Sequence, residues 1–186
     1  MLDLKSPEWA DIEASCGGDG KFAAQLLEQL TNGDESAMDE LHHQVCHQNS
    51  VGETAFVVMP HLVAIACRAN LPLRVNVLIT VGSIVASMKC YSRYAPKLRD
   101  EWREEFWSAC ADARRLTAES LQADLDPHDS LRLIGVLAAL QNHANLALLI
   151  EGKSGLDLYC GECGKPIHYG DAENKAELPP KGLGLS

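Results

Sequence analysis

Apolar residues recur with the period of an α-helix along most of the chain, and residues 35–69 show this most clearly. Met38, Leu41 and Val45 fall at positions i, i+3 and i+7, which places them on one buried stripe of a helix. Asp34 is the predicted N-cap, because a short carboxylate side chain can accept a hydrogen bond from a free amide of the first turn. The pattern therefore predicts an amphipathic helix in the first half of this stretch.

A second helix is predicted almost immediately after the first. Ser50 and Glu53 have the spacing of a capping box, in which each side chain bonds the backbone amide of the other residue. A broad apolar face follows, formed by Phe56, Val57, Met59, Leu62, Val63, Ile65 and Ala66. Because the segment between the two helices is short, we expect them to lie antiparallel and side by side.

The same rhythm continues on both sides of this pair and predicts seven or eight helices. Residues 73–89 are apolar nearly all round, which is typical of a helix buried between neighbours. The longest helix is predicted to begin at Pro96, and the others begin at Pro7, Lys21, Pro127 and His143. Antiparallel helix pairs stacked in sequence order bury such faces simply, so we predict an all-α, HEAT-like stack over residues 1–154.

The composition changes beyond residue 154. Residues 155–170 alternate in the manner of short strands and contain Cys160 and Cys163, which predicts a small Cys-x-x-Cys hairpin. Residues 171–186 have little to bury, so we expect a disordered tail there.

The net charge of −10 is distributed in blocks. Residues 1–53 hold eleven acids and two bases, residues 54–99 hold six bases and no acid, and residues 100–186 hold fifteen acids and eight bases. The acidic total argues against general binding of nucleic acid, since phosphates are neutralised by a surplus of Lys and Arg. The basic band at 54–99 has two interpretations: neutralisation by acidic neighbours, or a site for an anion or an acidic partner.

The chain lacks the patterns of membrane insertion and export. No run approaches the roughly 18 to 20 uninterrupted apolar residues of a membrane span. The first six residues lack the basic-then-apolar order of a signal peptide. We therefore expect a soluble, cytoplasmic protein with no membrane partner, and its oligomeric state is left open.

The segment Cys160-x-x-Cys163-Gly164 is the most specific local motif. Two cysteines at this spacing, followed by glycine, suit a knuckle in which both thiolates face one zinc ion. His168 is a candidate third ligand, and Asp171 or a histidine of the helical body is a candidate fourth. A metal-free hairpin and a redox dithiol are the alternatives to structural zinc.

A second cluster of metal-ligand residue types is His42-His43-x-x-Cys46-His47. On a continuous helix, His43 and His47 would lie one turn apart, which is the spacing by which helices chelate metals. His61 adds a candidate on the next helix. The alternative is structural: His47 or Gln48 closes the turn between the helices by bonding backbone groups.

A third candidate follows the apolar segment 73–89. Residues 89–99 interleave bases with tyrosines, and Arg93, Lys97 and Arg99 could form an anion patch. A solvated loop with amphipathic tyrosines explains the same pattern.

The turn His47-Gln48-Asn49-Ser50, followed by Ala55 and by Met59-Pro60-His61-Leu62, resembles a group of bacterial HEAT-repeat-like proteins of poorly characterised function. In that group a helix ends in a His-Gln-Gly-Thr-like turn, and the next helix carries Ala and then Val-Pro-x-Leu. Asn49 and Ser50 replace the usual glycine and threonine here. The resemblance covers about residues 24–150, and some relatives end in a Cys-x-x-Cys-Gly segment.

Two functions are compatible with these patterns. The first is a non-enzymatic helical scaffold that binds a protein partner, such as an acidic immunity protein that neutralises a toxin; helical-repeat proteins include immunity proteins. The alternative is a metal-dependent enzyme or metal-binding regulator that uses the His42–His47 cluster together with Cys160 and Cys163.

Overall fold

The computed structural model of the chain describes residues 1–15, 17–47, 50–91, 95–150, 157–159 and 166–168. The chain divides into two compact units, Met1–Glu151 and Gly152–Ser186. The described part of the first unit is mostly helical, as the apolar pattern predicts. In the second unit, β3 (Asp157–Tyr159) pairs antiparallel with β4 (Pro166–His168).

The helices of the first unit follow one another with short connections. A 3-10 helix spans Pro7–Asp11, and the α-helices are α1 (Lys21–Thr31), α2 (Ala37–Val45), α3 (Glu53–Arg68), α4 (Leu71–Cys90), α5 (Asp100–Ser120), α6 (Pro127–Leu140) and α7 (Ala144–Ile150). Two short strands, β1 (Cys46–His47) and β2 (Ser50–Val51), pair antiparallel between α2 and α3.

The predicted capping box at Ser50 and Glu53 is wrong. Ser50 lies in β2, opposite His47, and α3 begins at Glu53 with Gly52 as its N-cap. The first turn of α3 finds its acceptor elsewhere, because the Thr54 amide donates to the Glu13 carbonyl over 3.0 Å and the Thr54 hydroxyl donates to the same oxygen over 2.9 Å. The Glu13 carbonyl, which is distant in sequence, thus accepts the hydrogen bond that a local N-cap side chain would otherwise accept.

Two further predicted helix starts are displaced by a few residues. α5 begins at Asp100, not at Pro96, and Arg99 is its N-cap residue. α2 begins at Ala37 with Ser36 at the N-cap, while Asp34 Oδ1 accepts hydrogen bonds from the Ser36 amide over 3.2 Å and the Ser36 hydroxyl over 2.5 Å. Asp34 therefore stabilises the turn before the helix and is not its N-cap.

α4 is the central helix of the first unit. It packs against α2, α3, α5, α6 and α7, and its buried residues lie on all sides. By length and composition this helix could cross a membrane, but 72% of its most apolar window is buried inside the fold. Such burial is that of a helix in a protein core.

α4 and α6 approach each other closely at Gly82. A Cβ atom added to Gly82 would lie 2.8 Å from Cγ2 and 3.1 Å from Cα of Val136. Side chains cannot interdigitate at such a separation, so the spacing of the two helices depends on the missing side chain of Gly82.

Several bases of the band 54–99 bind the carbonyl groups at helix ends. Arg74 Nε donates to the Ala66 carbonyl over 2.9 Å, and its Nη2 donates to the Ala69 carbonyl over 3.3 Å. Lys89 Nζ donates to the Ala139 carbonyl near the end of α6 over 3.4 Å. These bonds stabilise carbonyls that have no partner within their own helix.

Replacing Gly82 with Ala tests the α4–α6 contact. The added methyl group meets backbone and β-branched atoms of Val136, and overpacking of this kind costs about 1–3 kcal/mol, which exceeds the gain of about 1 kcal/mol in helix propensity. We expect a lower midpoint of urea unfolding for Gly82→Ala.

Gly135→Ala is the matched control for this substitution. Its added Cβ would lie 3.2 Å from Cγ2 of Ile150, the end of a side chain that can move. We expect Gly135→Ala to change the midpoint less than Gly82→Ala. Equal effects of the two substitutions would contradict a tight contact specific to Gly82.

Candidate functional site

The residues of the His42–His47 cluster do not lie on one helix. α2 ends at Val45, so Cys46 and His47 belong to β1, and the one-turn spacing predicted for His43 and His47 is wrong. The rings of His43 and His47 remain near each other, with centroids 6.2 Å apart. The described residues contain no group of three or more His, Cys, Asp or Glu side chains placed to hold a metal ion.

His42 and Cys46 face α4. Nδ1 of His42 lies 3.0 Å from Oγ1 of Thr80, whose hydroxyl donates in turn to the Asn76 carbonyl over 3.3 Å. Sγ of the buried Cys46 lies 3.5 Å from Oγ of Ser87. These polar contacts fix α2 and β1 against the central helix, which is a structural role.

His61 lies on α3 and is buried beneath the amino-terminal segment. Its Nε2 donates to the Leu2 carbonyl over 2.9 Å, and its ring lies 6.2 Å from the ring of the buried Trp9. Burial lowers the pKa of His61 below its ordinary value of 6.5. This side chain therefore attaches the start of the chain to α3.

Arg99, one of the three residues of the predicted anion patch, is paired with a carboxylate. Its Nε donates to Glu53 Oε1 over 3.0 Å, and its Nη2 donates to Glu53 Oε2 over 2.5 Å. Its guanidinium also lies 4.5 Å from the ring centroid of Trp102. The hydrogen bond to Glu53 raises the pKa of Arg99 above its ordinary value, so Arg99 joins the start of α5 to the start of α3.

The remaining predicted site residues are dispersed or lie outside the described part of the chain. Lys97 is exposed in the connection before α5. Gln48, Arg93, Cys160 and Cys163 lie outside the described residues. The backbone of His168 lies in β4, opposite Asp157.

A groove of about 640 Å³ lies between α3 and α5, and the sequence patterns did not indicate it. α3 lines it with Pro60, Val63, Ala64 and Cys67, and α5 lines it with Glu104, Glu105, Ser108, Ala109 and Asp112. Met1 also lines the groove, where the amino-terminal ammonium donates to Glu105. The groove thus combines an apolar floor with three exposed carboxylates on one flank of α5, and the described residues that line it include no Lys or Arg.

The signal that could have located this groove is the spacing of acids within α5. Glu105 and Asp112 are seven residues apart and share one side of the helix. That spacing alone does not distinguish a solvated face from the wall of a groove, because the sequence of α5 does not determine which helix packs beside it.

The pKa of His61 predicts a dependence of stability on pH. The unfolded chain binds a proton at His61 as the pH falls below about 6.5, whereas the folded chain binds it only at a lower pH. This contribution to stability is therefore fully present above about pH 6.5 and is lost as the pH falls from there through the folded pKa. We expect the urea midpoint to fall less between about pH 7.5 and about pH 5.5 in His61→Gln than in the unmodified chain.

His128→Gln is the matched control, since His128 is an exposed histidine on α6. We expect it to retain the full dependence on pH. An identical loss of stability on acidification in the unmodified chain and in His61→Gln would contradict the role of His61.

The zinc site stays a prediction from the spacing of Cys160 and Cys163. We expect close to one zinc per chain by elemental analysis, and loss of that zinc when both cysteines are replaced by Ser, because thiolates are its strongest ligands here. Cys67→Ser, at an exposed cysteine of α3, should retain the metal. The same metal content in all three proteins would contradict the predicted knuckle.

Comparison with protein-family models, with curated proteins and with solved structures gives no match for this chain. The similarity to bacterial HEAT-repeat-like proteins therefore rests on the pattern from His47 to Leu62 alone. The candidate functional site is identified by its geometry, and it is the acidic groove between α3 and α5.

Proposed function

We propose that this chain is a non-enzymatic helical protein that binds a basic segment of a protein partner in the groove between α3 and α5. The observation that carries the proposal is the lining of that groove, in which an apolar floor is edged by carboxylates. The long stems of Lys and Arg pack on apolar surface while their charged ends remain in water. A basic segment therefore matches both parts of the lining.

The charges of the groove favour a cationic partner. Glu104 and Asp112 are exposed on α5, and the three carboxylates of the lining outnumber its one cation, the amino-terminal ammonium that pairs with Glu105. Asp112 also pairs with Arg115 over 3.5 Å, whereas Glu104 takes part in no ion pair among the described residues. The net charge of −10 adds a long-range attraction that speeds the encounter with a basic protein. Association should therefore weaken as salt is added, because exposed charge pairs are screened.

An immunity-type role is the most concrete form of this proposal. In that role the acidic groove covers a basic surface of a toxin in the cytoplasm. A HEAT-like arrangement of helix pairs belongs to the same proposal, and it is supported by the packing of sequence neighbours α1 with α2, α3 with α4, and α6 with α7. Solenoids of this kind commonly bind partners along an exposed face.

Neutralising Glu104 and Asp112 together tests the groove. Each exposed charge pair contributes about 0.2–1 kcal/mol, so Glu104→Gln with Asp112→Asn should weaken the binding of a fluorescent hexalysine peptide roughly fivefold. Fluorescence anisotropy at low and at high salt measures the dissociation constant. Glu105 is left unchanged because it contacts the amino terminus.

Glu8→Gln with Asp39→Asn is the matched control, because it removes the same two charges from exposed positions outside the groove. We expect this control to bind the peptide nearly as well as the unmodified chain. Equal weakening in the two double variants would show that the affinity for the peptide depends only on net charge, and it would contradict the proposal.

A further inference from the structure

A second recess lies on the other flank of α5, where it faces the ends of α4 and α6. It consists of two adjoining depressions of about 220 Å³ and about 510 Å³, both of which are lined by Lys89 and Asn142. We call the two together the Lys89 cleft. None of the described side chains that line it is a carboxylate. Two bases without a described carboxylate favour an anion, although the chain as a whole has a net charge of −10.

Lys89 is held at the centre of the cleft by neutral acceptors. Its Nζ donates to Asn142 Oδ1 and to the Ala139 carbonyl. An ammonium group has three N–H donors, so these two bonds leave one donor that no other described residue takes. None of the ion pairs among the described residues includes Lys89, so no carboxylate of the described part of the chain neutralises its charge.

Trp107 and Arg114 supply the wall formed by α5. They are seven residues apart on one side of the helix, and both line the smaller depression. Trp107 is 45% exposed, although it is a large aromatic residue, and its ring packs edge-on against the buried Phe106 with centroids 5.0 Å apart. The indole is thus held in place while part of its surface is open to a ligand. Arg114 is exposed and takes part in no ion pair of the described chain.

The segment between α6 and α7 supplies polar groups to the larger depression. Asn142 has a φ of 69°, a left-handed conformation that asparagine tolerates, and this turns the chain into α7. Asn145 Oδ1 accepts a hydrogen bond from the Cys90 thiol over 3.0 Å, which directs the Asn145 oxygen towards α4 and leaves its amide N–H groups as donors. His143 lies beside them in the lining.

The floor of the smaller depression is uncharged. Val85, Leu140 and Cys110 line it, and burial raises the pKa of the Cys110 thiol to about 12, so the thiol is neutral. An apolar floor with an exposed aromatic wall fits a flat ring, whereas the cations fit an oxyanion.

We propose that the Lys89 cleft binds a small ligand in which an oxyanion is attached to a planar ring. Lys89 and Arg114 bind the oxyanion, and Trp107 stacks on the ring. Nucleoside monophosphates and aromatic carboxylates share this chemistry. The site lies on the opposite flank of α5 from Glu104 and Asp112, so it is independent of the protein-binding groove.

The test is calorimetric titration of the full chain with three probes: adenosine monophosphate, benzoate and inorganic phosphate. We expect one of the two ring-bearing probes to bind more tightly than inorganic phosphate, and which one binds identifies the source of the oxyanion. Arg114→Gln removes a charged donor and should weaken that binding roughly tenfold. Trp107→Leu should weaken the ring-bearing probe and leave inorganic phosphate unchanged.

Arg115→Gln is the matched control, because it makes the same change at the next residue, where the side chain pairs with Asp112 and Glu119 outside the cleft. It should bind the probe as the unmodified chain does. Glu104→Gln with Asp112→Asn should also leave this binding intact. Equal losses in Arg114→Gln and Arg115→Gln, or no binding of either ring-bearing probe at millimolar concentration, would overturn the proposal.

Discussion

The burial of α4 is the constraint on which the rest of the structure depends. Apolar side chains cover this helix on every side, so it needs neighbours all round to remove them from water. Five helices supply those neighbours, and Gly82 sets the distance to one of them, α6. The buried hydroxyl of Thr80 forms hydrogen bonds with His42 of α2 and with the Asn76 carbonyl. This polar group of α4 is therefore satisfied although it is buried.

Because α4 is central and apolar, its charged residues lie near its two ends. Arg74 binds the carbonyls that end α3, and Lys89 binds a carbonyl near the end of α6. This explains in part why residues 54–99 hold six bases and no acid: cations are stabilised beside helix carboxyl ends, where an acid would be repelled. Of the two interpretations of the band, neutralisation by an acidic neighbour applies to Arg99, which pairs with Glu53.

The sequence predicts those parts of the fold whose signals are local. The all-round apolar pattern predicted α4, and the proline at position 127 predicted the start of α6, whose first amides bond the Asp126 carboxylate. The start of α3 could not be predicted in this way, because Thr54 bonds Glu13, a residue separated from it by 41 positions. For the same reason His47 could not be placed: strand pairing with Ser50 replaced the helical continuation that the spacing suggested.

The candidate sites show the same limit, and they also show why the net charge is a poor guide to a ligand. The seven-residue spacings of Glu105 with Asp112 and of Trp107 with Arg114 are visible in the sequence, but only the neighbouring helices distinguish a groove from a solvated face. α5 carries three carboxylates on the flank beside α3, whereas its flank beside α4 and α6 carries Arg114 and faces Lys89 of α4. The net charge of −10 adds up the charges of the whole chain, so it does not reveal that these two flanks differ in sign. At the distance of a contact each flank acts on its own, because salt screens exposed charges beyond about 10 Å.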